Sequence, residues 1–434
     1  MRAFKRLLLG GLALCVLAFA ALLVLSLLPD RDDEALAPPA PEDAPTQIVR
    51  GRYLALAGNC AGCHTERGGA AYAGGRGIRT PFGTVYASNL TADKATGLGA
   101  WSRDDFWRAL HHGRSRDGRA LYPAFPYPNT TRVTRSDSDA LFAYIASLPP
   151  ARQANREHEL RFPYNSRLLL AGWRALYFKA GVYQPDTQQG VQWNRGAYLV
   201  QGLGHCSACH TSRDALGGTD PDPKADLAGG MIPMLDWYAP ALAADTEAGL
   251  GNWQAHDIVA LLREGNSARG AVFGPMAGVV YNSLQHLDDA DLRAMALYLK
   301  ALPQTRAARA SAVPPVSGQD IKSIMALGEK LYGERCAHCH APDGRGIAPA
   351  YPPLAGNRAI TMDSAVNAIR IVLNGGFAPG TAANPRPYGM PPFRISLDDA
   401  QVAAVVSYMR NSWGNRAGMV SPIEVDRYRS TPVD

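Results

Sequence analysis

The apolar and polar positions of this chain form one long apolar run, followed by segments in which apolar residues recur at helical spacing. Residues 7–28 are uncharged and rich in Leu and Ala, and Arg2, Lys5 and Arg6 precede them. A run of this length suits a bilayer-spanning helix, whereas the apolar core of a cleavable signal peptide is shorter. The basic flank predicts that everything after the run is exported. We therefore predict an N-terminal transmembrane helix within residues 1–29, with a cleaved signal as the alternative.

Helical patterns recur three times along the rest of the chain, each time as an opening helix and a closing helix. The opening helices carry a glycine and an aromatic residue, in the sequences Gly51-Arg-Tyr53, Gly196-Ala-Tyr198 and Gly328-Glu-Lys-Leu-Tyr332. The closing helices are amphipathic, follow acidic or hydroxyl capping residues, and contain Tyr144, Tyr298 and Tyr408. A glycine lets two helices cross closely. We predict an all-α fold of three tandem domains in which these tyrosines are packing residues.

Composition agrees with a folded, exported protein. The chain has 434 residues, of which 47% are hydrophobic and 19% charged, so there is room for two to four ordinary domains. The net charge of +6 is small for this length and gives only a weak indication of an acidic partner or anionic lipid. We expect no nucleic-acid partner. Residues 30–47 are rich in Pro, Asp, Glu and Ala, and are predicted to be an extended tether.

Six of the seven cysteines lie in Cys-x-x-Cys-His motifs. The motifs are Cys60-Ala-Gly-Cys63-His64, Cys206-Ser-Ala-Cys209-His210 and Cys336-Ala-His-Cys339-His340. Residues three apart share one face of a helical turn, so the two thiols can each add to one vinyl group of the same porphyrin. The following His then lies beneath the iron as its proximal ligand. The motifs predict three covalently bound heme c groups with His64, His210 and His340 as axial ligands.

Other uses of a cysteine pair fit these motifs less well. A thioredoxin-type redox pair needs no following His and would not recur three times. A zinc site needs two pairs that converge, and a disulfide across two intervening residues is strained. The seventh cysteine, Cys15, lies in the apolar run, and Leu14 stands where lipidation needs a small residue. We interpret Cys15 as an ordinary membrane-helix residue.

The repeats set the domain boundaries. We predict domain one at 48–150, a connector at 151–189, domain two at 190–303, a linker at 304–320, domain three at 321–414 and a polar tail at 415–434. Domains one and two are sisters, because Gly97-Leu-Gly-Ala-Trp101 matches Gly249-Leu-Gly-Asn-Trp253 and each leads into a helix ending at Gly113 or Gly265. The indoles of Trp101 and Trp253 could donate to a heme propionate, with core packing as the alternative.

The sixth iron ligand differs between the domains. In electron-transfer cytochromes c it is usually a Met, which raises the potential. Domain two offers Met276 in Phe-Gly-Pro-Met-Ala, and domain three offers Met390 in Tyr-Gly-Met-Pro-Pro. We predict that both are axial ligands presented by Gly/Pro loops.

Domain one has Phe125 at the position where Met is expected, and no Met occurs between Met1 and Met231. Candidate replacements are His112 and His111 at the end of a helix, or His158 in the connector. The alternative is an open or weakly ligated iron. In either case we expect the first heme to have a lower potential than the other two.

These motifs resemble the c-type cytochrome subunits of membrane-bound periplasmic dehydrogenases, which oxidise alcohols, gluconate or aldehydes. The resemblance covers residues 48–414 and includes the three heme motifs and three further segments: Phe82-Gly-Thr-Val-Tyr-Ala-Ser-Asn-Leu-Thr91, Phe162-Pro-Tyr-Asn-Ser-Arg167 and Trp193-Asn-Arg-Gly-Ala-Tyr-Leu199. It implies three class I cytochrome c domains that take electrons from a catalytic subunit and pass them to ubiquinone or another respiratory carrier. Phe125 departs from the family and resembles the cytochromes of molybdenum hydroxylases, so it favours a molybdopterin partner over a quinoprotein or flavoprotein. Many members anchor through a C-terminal amphipathic segment, whereas this chain has the N-terminal helix.

Three functions are compatible with the sequence. The first is an electron-transfer subunit on the periplasmic side of the bacterial cytoplasmic membrane, with no catalytic site for an organic substrate. The second is a self-standing heme enzyme, for example a peroxidase that uses an open first heme with His112 as acid/base. The third is a membrane-tethered electron carrier without a dedicated partner.

Overall fold

The computed structural model describes residues 43–220, 222–244, 248–303 and 318–431, together with scattered positions between 4 and 24. Most of the predicted anchor, Cys15 and residues 30–42 of the tether lie outside the described residues. Within the part of the chain that is described, no helix is both long enough and apolar enough to cross a bilayer. The chain divides into two compact units. Unit 1 comprises Met1–Ala55, Cys63–Gln184 and Asp214–Gly218, and unit 2 comprises Leu56–Gly62, Pro185–Arg213 and Thr219–Asp434.

Helices dominate the described residues. In chain order they are α1 (Ala44–Ala57), α2 (Cys60–His64), α3 (Arg103–His112), α4 (Tyr127–Thr130), α5 (Arg135–Ala146), α6 (Arg167–Tyr177), α7 (Val191–Gln201), α8 (Ser207–His210), α9 (Ala255–Glu264), α10 (Pro275–Asn282), α11 (Asp289–Ala301), α12 (Gly318–Arg335), α13 (Ala337–His340), α14 (Arg358–Thr361), α15 (Val366–Asn374), α16 (Asp399–Asn411) and α17 (Pro422–Arg429). Short 3-10 turns lie at Pro223–Ala225 and Leu284–His286.

Small antiparallel strand pairs supplement the helices, which is a feature that the all-α prediction lacked. The strands are β1 (Gly77–Thr80), β2 (Gly83–Tyr86), β3 (Glu159–Leu160), β4 (Gly230–Ile232), β5 (Trp237–Ala239), β6 (Asn266–Ser267), β7 (Gly270–Ala271), β8 (Gly376–Phe377) and β9 (Gly389–Met390). Strands β1, β2 and β3 form one sheet in the order β1-β2-β3, and the others pair as β4-β5, β6-β7 and β8-β9. These strands are too short to build a core of their own, and they pair within the loops that connect the helices.

The opening and closing helices cross at the predicted glycines in all three repeats. A Cβ at Gly51, Gly196 or Gly328 would overlap a backbone carbonyl oxygen of the closing helix, that of Ala140, Ala294 or Ala404. The predicted tyrosines pack beside these crossings: the ring centroids of Tyr72 and Tyr144 are 6.0 Å apart, those of Trp193 and Tyr298 5.0 Å, and those of Tyr332 and Tyr408 5.6 Å. The structure confirms the close helix crossings.

Capping residues set the ends of α3 and α9, the helices that precede the segments carrying Phe125 and Met276. Ser102 and Asp105 form a capping box at the start of α3, and Gly113 ends it in the left-handed conformation with φ 59°. Gly265 ends α9 in the same way with φ 70°. Both ends lie where the sequence predicted them. The equivalent positions of domains one and two can therefore be compared by counting back from these glycines.

The third domain extends beyond its predicted end at residue 414. Val420 and Val425 are buried in the same core as Tyr332, Ile369 and Val406, and Val425 lies on α17. Ser421 caps this helix by accepting from the backbone N–H of Glu424. The sequence predicts a polar tail for this segment, because two apolar residues are too few to show a helical periodicity.

The helix crossing in domain three offers a direct test. Gly328→Ala is expected to lower the free energy of unfolding by about 2–3 kcal/mol, because the methyl group would overpack against the backbone of α16. Gly333→Ala is the matched control on the same helix, since a Cβ there meets no atom within 4 Å. It should stabilise by about 0.5–1 kcal/mol. Denaturant unfolding of both variants measures the difference, and equal effects would exclude a close crossing at Gly328.

Three candidate heme sites

Each Cys-x-x-Cys-His motif lies on a single turn of helix. Helix α2 holds the whole first motif, whereas α8 and α13 begin directly after the first cysteine of theirs, Cys206 and Cys336. The six cysteines of the motifs, all among the described residues, form no disulfide with one another. The helical turn brings the two thiols of each motif to one face, where each can add to one vinyl group of the same porphyrin.

The three motif histidines share one hydrogen-bond arrangement. The Nδ1 atom of His64 lies 2.7 Å from the carbonyl oxygen of Ser88, that of His210 2.7 Å from Pro240 O, and that of His340 3.0 Å from Pro352 O. A carbonyl oxygen can only accept, so Nδ1 carries the hydrogen and Nε2 keeps its lone pair. This is the tautomer of an iron-ligating imidazole whose second nitrogen is held by the protein.

Burial also keeps these imidazoles neutral. It lowers the pKa of all three, and the pKa of His210 falls to about 4 although the hydrogen bond to Pro240 opposes the change. A neutral imidazole is the form that binds a metal ion. The tautomer, the charge state and the paired thiols therefore all fit heme c at each motif.

The second and third sites open into one cavity within unit 2. Its wall includes both motifs and both predicted methionine ligands: Cys206, Cys209, His210 and Met276 from domain two, and Cys336, His340 and Met390 from domain three. Most of the remaining wall is aliphatic, with Ile258, Leu261 and Leu262 from α9 and Ile371 and Val372 from α15. Such a lining suits the apolar faces of a porphyrin.

The elements that carry the two methionines differ from the predicted loops. Met276 lies in the first turn of α10, directly after Gly274 with φ 52° and Pro275. Met390 lies on β9 and pairs with Gly376 of β8. Pro at the first position of a helix needs no hydrogen-bond partner, so a loop-like Gly-Pro-Met sequence can begin a helix.

The residues that precede Cys60 line the same cavity. Residues 56–62 belong to unit 2, and Ala57 and Asn59 lie in the cavity wall together with His205. The hydroxyl of Ser283 donates to the carbonyl oxygen of Ala57 at 3.3 Å. The chain that leads into the first motif is thus held against the second site.

The histidine candidates of domain one can be compared with the equivalent positions of domain two. The α9 positions that line the cavity are Ile258, Leu261 and Leu262, and counting back from Gly113 their equivalents are Phe106, Ala109 and Leu110. His111 and His112 correspond instead to Arg263 and Glu264, which do not line it. The Nδ1 atom of His111 lies 2.8 Å from Thr131 O, and its ring stacks on Trp107 with centroids 4.4 Å apart. These contacts account for the burial of His111 within domain one.

His158 has the opposite tautomer from the motif histidines. Its Nδ1 accepts a hydrogen bond from the backbone N–H of Tyr86 at 3.2 Å, so the hydrogen of the neutral ring lies on Nε2. Phe125 is half-buried, and its ring centroid is 6.5 Å from that of Tyr127, a fully buried residue.

Residues from both domains build the cavity wall, and the sequence does not mark the link between them. Asn367 of α15 pairs with the backbone of Tyr238 on β5: its Oδ1 accepts from the Tyr238 N–H at 2.9 Å, and its amide donates to the Tyr238 carbonyl at 2.8 Å. Arg358, also from domain three, reaches the second site, which no motif indicated. Trp253, predicted as a propionate donor or core residue, is buried and lines the cavity.

The geometry defines a protein of repeated covalent heme sites, and sequence comparison identifies its class. The model of the cytochrome c family matches residues 48–149, 194–303 and 325–413. The chain belongs to the cytochrome c family, whose domains bind heme c covalently.

Several relatives are cytochrome subunits of dehydrogenases. The chain is 39% identical to the gluconate 2-dehydrogenase cytochrome c subunit of Pantoea cypripedii, over 94% of this chain and 91% of that protein. It is 37% identical to the cytochrome c subunit of the quinone alcohol dehydrogenase of Gluconacetobacter polyoxogenes, over 90% and 86%. It is 43% identical to a subunit of the nicotinate dehydrogenase of Pseudomonas putida over 84% of this chain, but it spans only 30% of the length of that relative.

Proposed function

We propose that this chain is the triheme electron-transfer subunit of a membrane-bound periplasmic dehydrogenase. The observation that carries the proposal is the threefold repetition of one site, in which a pair of cysteines on one helical turn precedes a neutral histidine held through Nδ1 by a backbone carbonyl. The cytochrome subunits among its relatives support the same function. No catalytic site for an organic substrate is needed in such a chain.

The site residues of the proposal follow from the three motifs. Cys60, Cys63, Cys206, Cys209, Cys336 and Cys339 hold the three hemes covalently, and His64, His210 and His340 are the proximal ligands. Met276 and Met390 are the sixth ligands of the second and third sites, and the first site has no methionine. Bound heme c supplies a one-electron iron couple whose potential rises with methionine ligation. The aliphatic side chains of α9 and α15 exclude water from the shared cavity, which further favours the less charged reduced state.

The partner in this proposal is a large catalytic subunit. Relatives point to more than one cofactor type, since their names include quinone-dependent alcohol oxidation as well as nicotinate oxidation. Phe125 and the identity of 43% to a nicotinate dehydrogenase subunit favour a molybdopterin enzyme acting on an aldehyde or N-heterocycle over a flavin or quinoprotein partner. Electrons would leave to ubiquinone or another respiratory carrier.

The location in the proposal is the periplasmic face of the cytoplasmic membrane. The uncharged run at residues 7–28 and the basic residues before it support an N-terminal anchor. The thioether-forming motifs belong to an exported chain as well.

Purification of the tagged full chain from membranes of its native host tests the proposal. We expect a large dehydrogenase subunit to co-purify, with three covalent hemes per chain by the pyridine hemochromogen assay. Peroxide turnover by the chain alone would instead support the heme-enzyme alternative, which the missing methionine of domain one keeps open. Recovery of a triheme chain with no partner would support the freestanding carrier.

A further inference from the structure

A half-buried arginine of domain three reaches into the second heme site. Arg358 opens the short helix α14, where the side chain of Asn357 caps the helix by accepting from the Ala359 N–H at 2.9 Å. Its Nη1 donates to two carbonyl oxygens of domain two, those of Ala241 at 3.0 Å and Ala248 at 3.1 Å. Both belong to the loop that follows Pro240, the residue that holds the His210 ring. Arg358 is thus fixed to the second site although it belongs to the third domain.

The guanidinium also faces the cavity. Its central carbon lies 5.1 Å from the ring centroid of Trp253, and both residues line the cavity together with His210 and Met276. Its hydrogen bonds to Ala241 and Ala248 and its contact with Trp253 place the side chain at the second site.

Within the described ranges, which leave out residues 245–247, the positive charge of Arg358 has no carboxylate partner. Burial lowers its pKa to about 10, so the side chain is still charged at neutral pH. The hydrogen bonds of Arg358 to described residues use only Nη1. Withdrawing an unpaired charge even partly from water is costly, so a cation held against an apolar cavity wall normally has an anion nearby.

The other arginines of the cavity wall do not share this property. Arg269 has Asp257 at 3.8 Å, and Arg335 is exposed. Arg410 is buried in domain three, but it does not line the cavity, and its guanidinium donates to four backbone carbonyls, those of Ile360, Met362, Asp363 and Gly418. Among the described arginines that line the cavity, Arg358 is the one that is neither exposed nor paired with a carboxylate.

We propose that Arg358 is the counter-charge of a heme propionate at the second site, supplied to domain two by domain three. The proposal rests on the assignment of heme c to the motif at Cys206, since that heme brings two carboxylates into the cavity. A guanidinium can bind a carboxylate through its free Nε and Nη2 while Nη1 stays on the loop carbonyls. The indole of Trp253 lies against the guanidinium on the same cavity wall.

This placement gives Arg358 a positioning and tuning role. Reduction adds one negative charge at the iron, so a nearby half-buried cation stabilises the reduced state and raises the potential. Because the cation belongs to the neighbouring domain, the potential of the second heme depends on the packing of domain three against the loop at Ala241–Ala248. A surface arginine would not have this effect, since water and salt screen its charge.

Reductive titration of the full triheme chain, followed optically, tests the proposal. Arg358→Gln should shift the reduction equilibrium of one heme about tenfold toward the oxidised state, which is about 59 mV downward for a one-electron couple. Arg358→Lys should restore most of the shift, because it returns the charge. Arg345→Gln is the control: it removes the same charge from an exposed position of domain three, where the side chain is 82% exposed, and should move no couple.

The outcomes distinguish this inference from the proposed function. In the double variant Arg358→Gln with Met276→His, both shifts should fall on the same couple, and shifts on two different couples would overturn the assignment to the second site. Three unchanged potentials together with reduced stability would show that Arg358 only ties the two domains together. Fewer than three covalent hemes in the unaltered chain would contradict the proposed function itself. If Arg358→Gln loses a heme, the potential of Arg358→Lys decides, since only a charge effect predicts a value near that of the unaltered chain.

Discussion

Replacing Met276 by His is expected to lower the potential of the second heme by roughly 0.2 V, a quarter of the span of ~0.8 V that axial ligands produce. The thioether sulfur favours ferrous iron, whereas an imidazole donates more strongly to ferric iron. The first turn of α10 holds residue 276 at the cavity wall, so the new side chain can reach the iron from the same backbone position. Spectroelectrochemical titration of the full chain measures the shift.

A matched control lies in the same domain. Met234 is exposed and does not line the cavity, so Met234→His should leave all three potentials unchanged. An unchanged potential in Met276→His would remove Met276 as a ligand. If Met234→His moved a couple instead, the sixth ligand would come from the segment that follows His210.

The parts of the site that depend on local chemistry could be predicted from the sequence. Thiol spacing, the following histidine and the glycines at residues 113 and 265 act within one or two turns of helix, so a short sequence window contains all their determinants. The crossing glycines were also recognisable, because the same residue recurs at the same place in three repeats. Repetition supplied the evidence that a single domain would have lacked.

The remainder depends on contacts between distant segments, which no window contains. The carbonyls that orient the histidines belong to Ser88, Pro240 and Pro352, and any residue type can supply a carbonyl. Arg358 becomes part of the second site only when domains two and three pack together. On the chain it is one of 44 basic residues, with no neighbouring motif to distinguish it. Helix α17 was missed for a similar reason. On the chain Val425 stands between charged residues, and only the fold shows that it packs in the core.

The helices α3 and α9 occupy equivalent places in domains one and two. Positions that face the cavity in domain two are Ile258, Leu261 and Leu262, and their counterparts in domain one are apolar too. His111, at the end of α3, corresponds to Arg263 of domain two, and Arg263 forms an ion pair with Asp289 on the closing helix. From this correspondence we infer an open iron at the first site, one of the alternatives that the sequence allowed; CO binding tests it.

Phe125→Met is accordingly expected to supply the missing ligand and to raise the potential of the first heme by roughly 0.2 V, on the same axial-ligand scale. Residue 125 directly precedes Pro126, which caps α4, and Phe125 is only half-buried, so we expect that a flexible thioether of similar length can turn toward the iron. Optical titration should show the shift, together with a sulfur-to-iron charge-transfer band and loss of CO binding.

The control for this variant is Phe142→Met, which introduces the same side chain on the closing helix. The ring centroids of Phe142 and Phe106 are 5.5 Å apart. It should change neither CO binding nor the potential. The open-iron interpretation would be contradicted if the domain-one heme of the unaltered chain did not bind CO and gave the EPR spectrum of two imidazole ligands. That result would support His111 or His112 as the sixth ligand. If instead the unaltered chain binds CO and Phe125→Met does not, a single side chain accounts for the difference between the first heme and the other two, because the three motif histidines have the same hydrogen-bond arrangement.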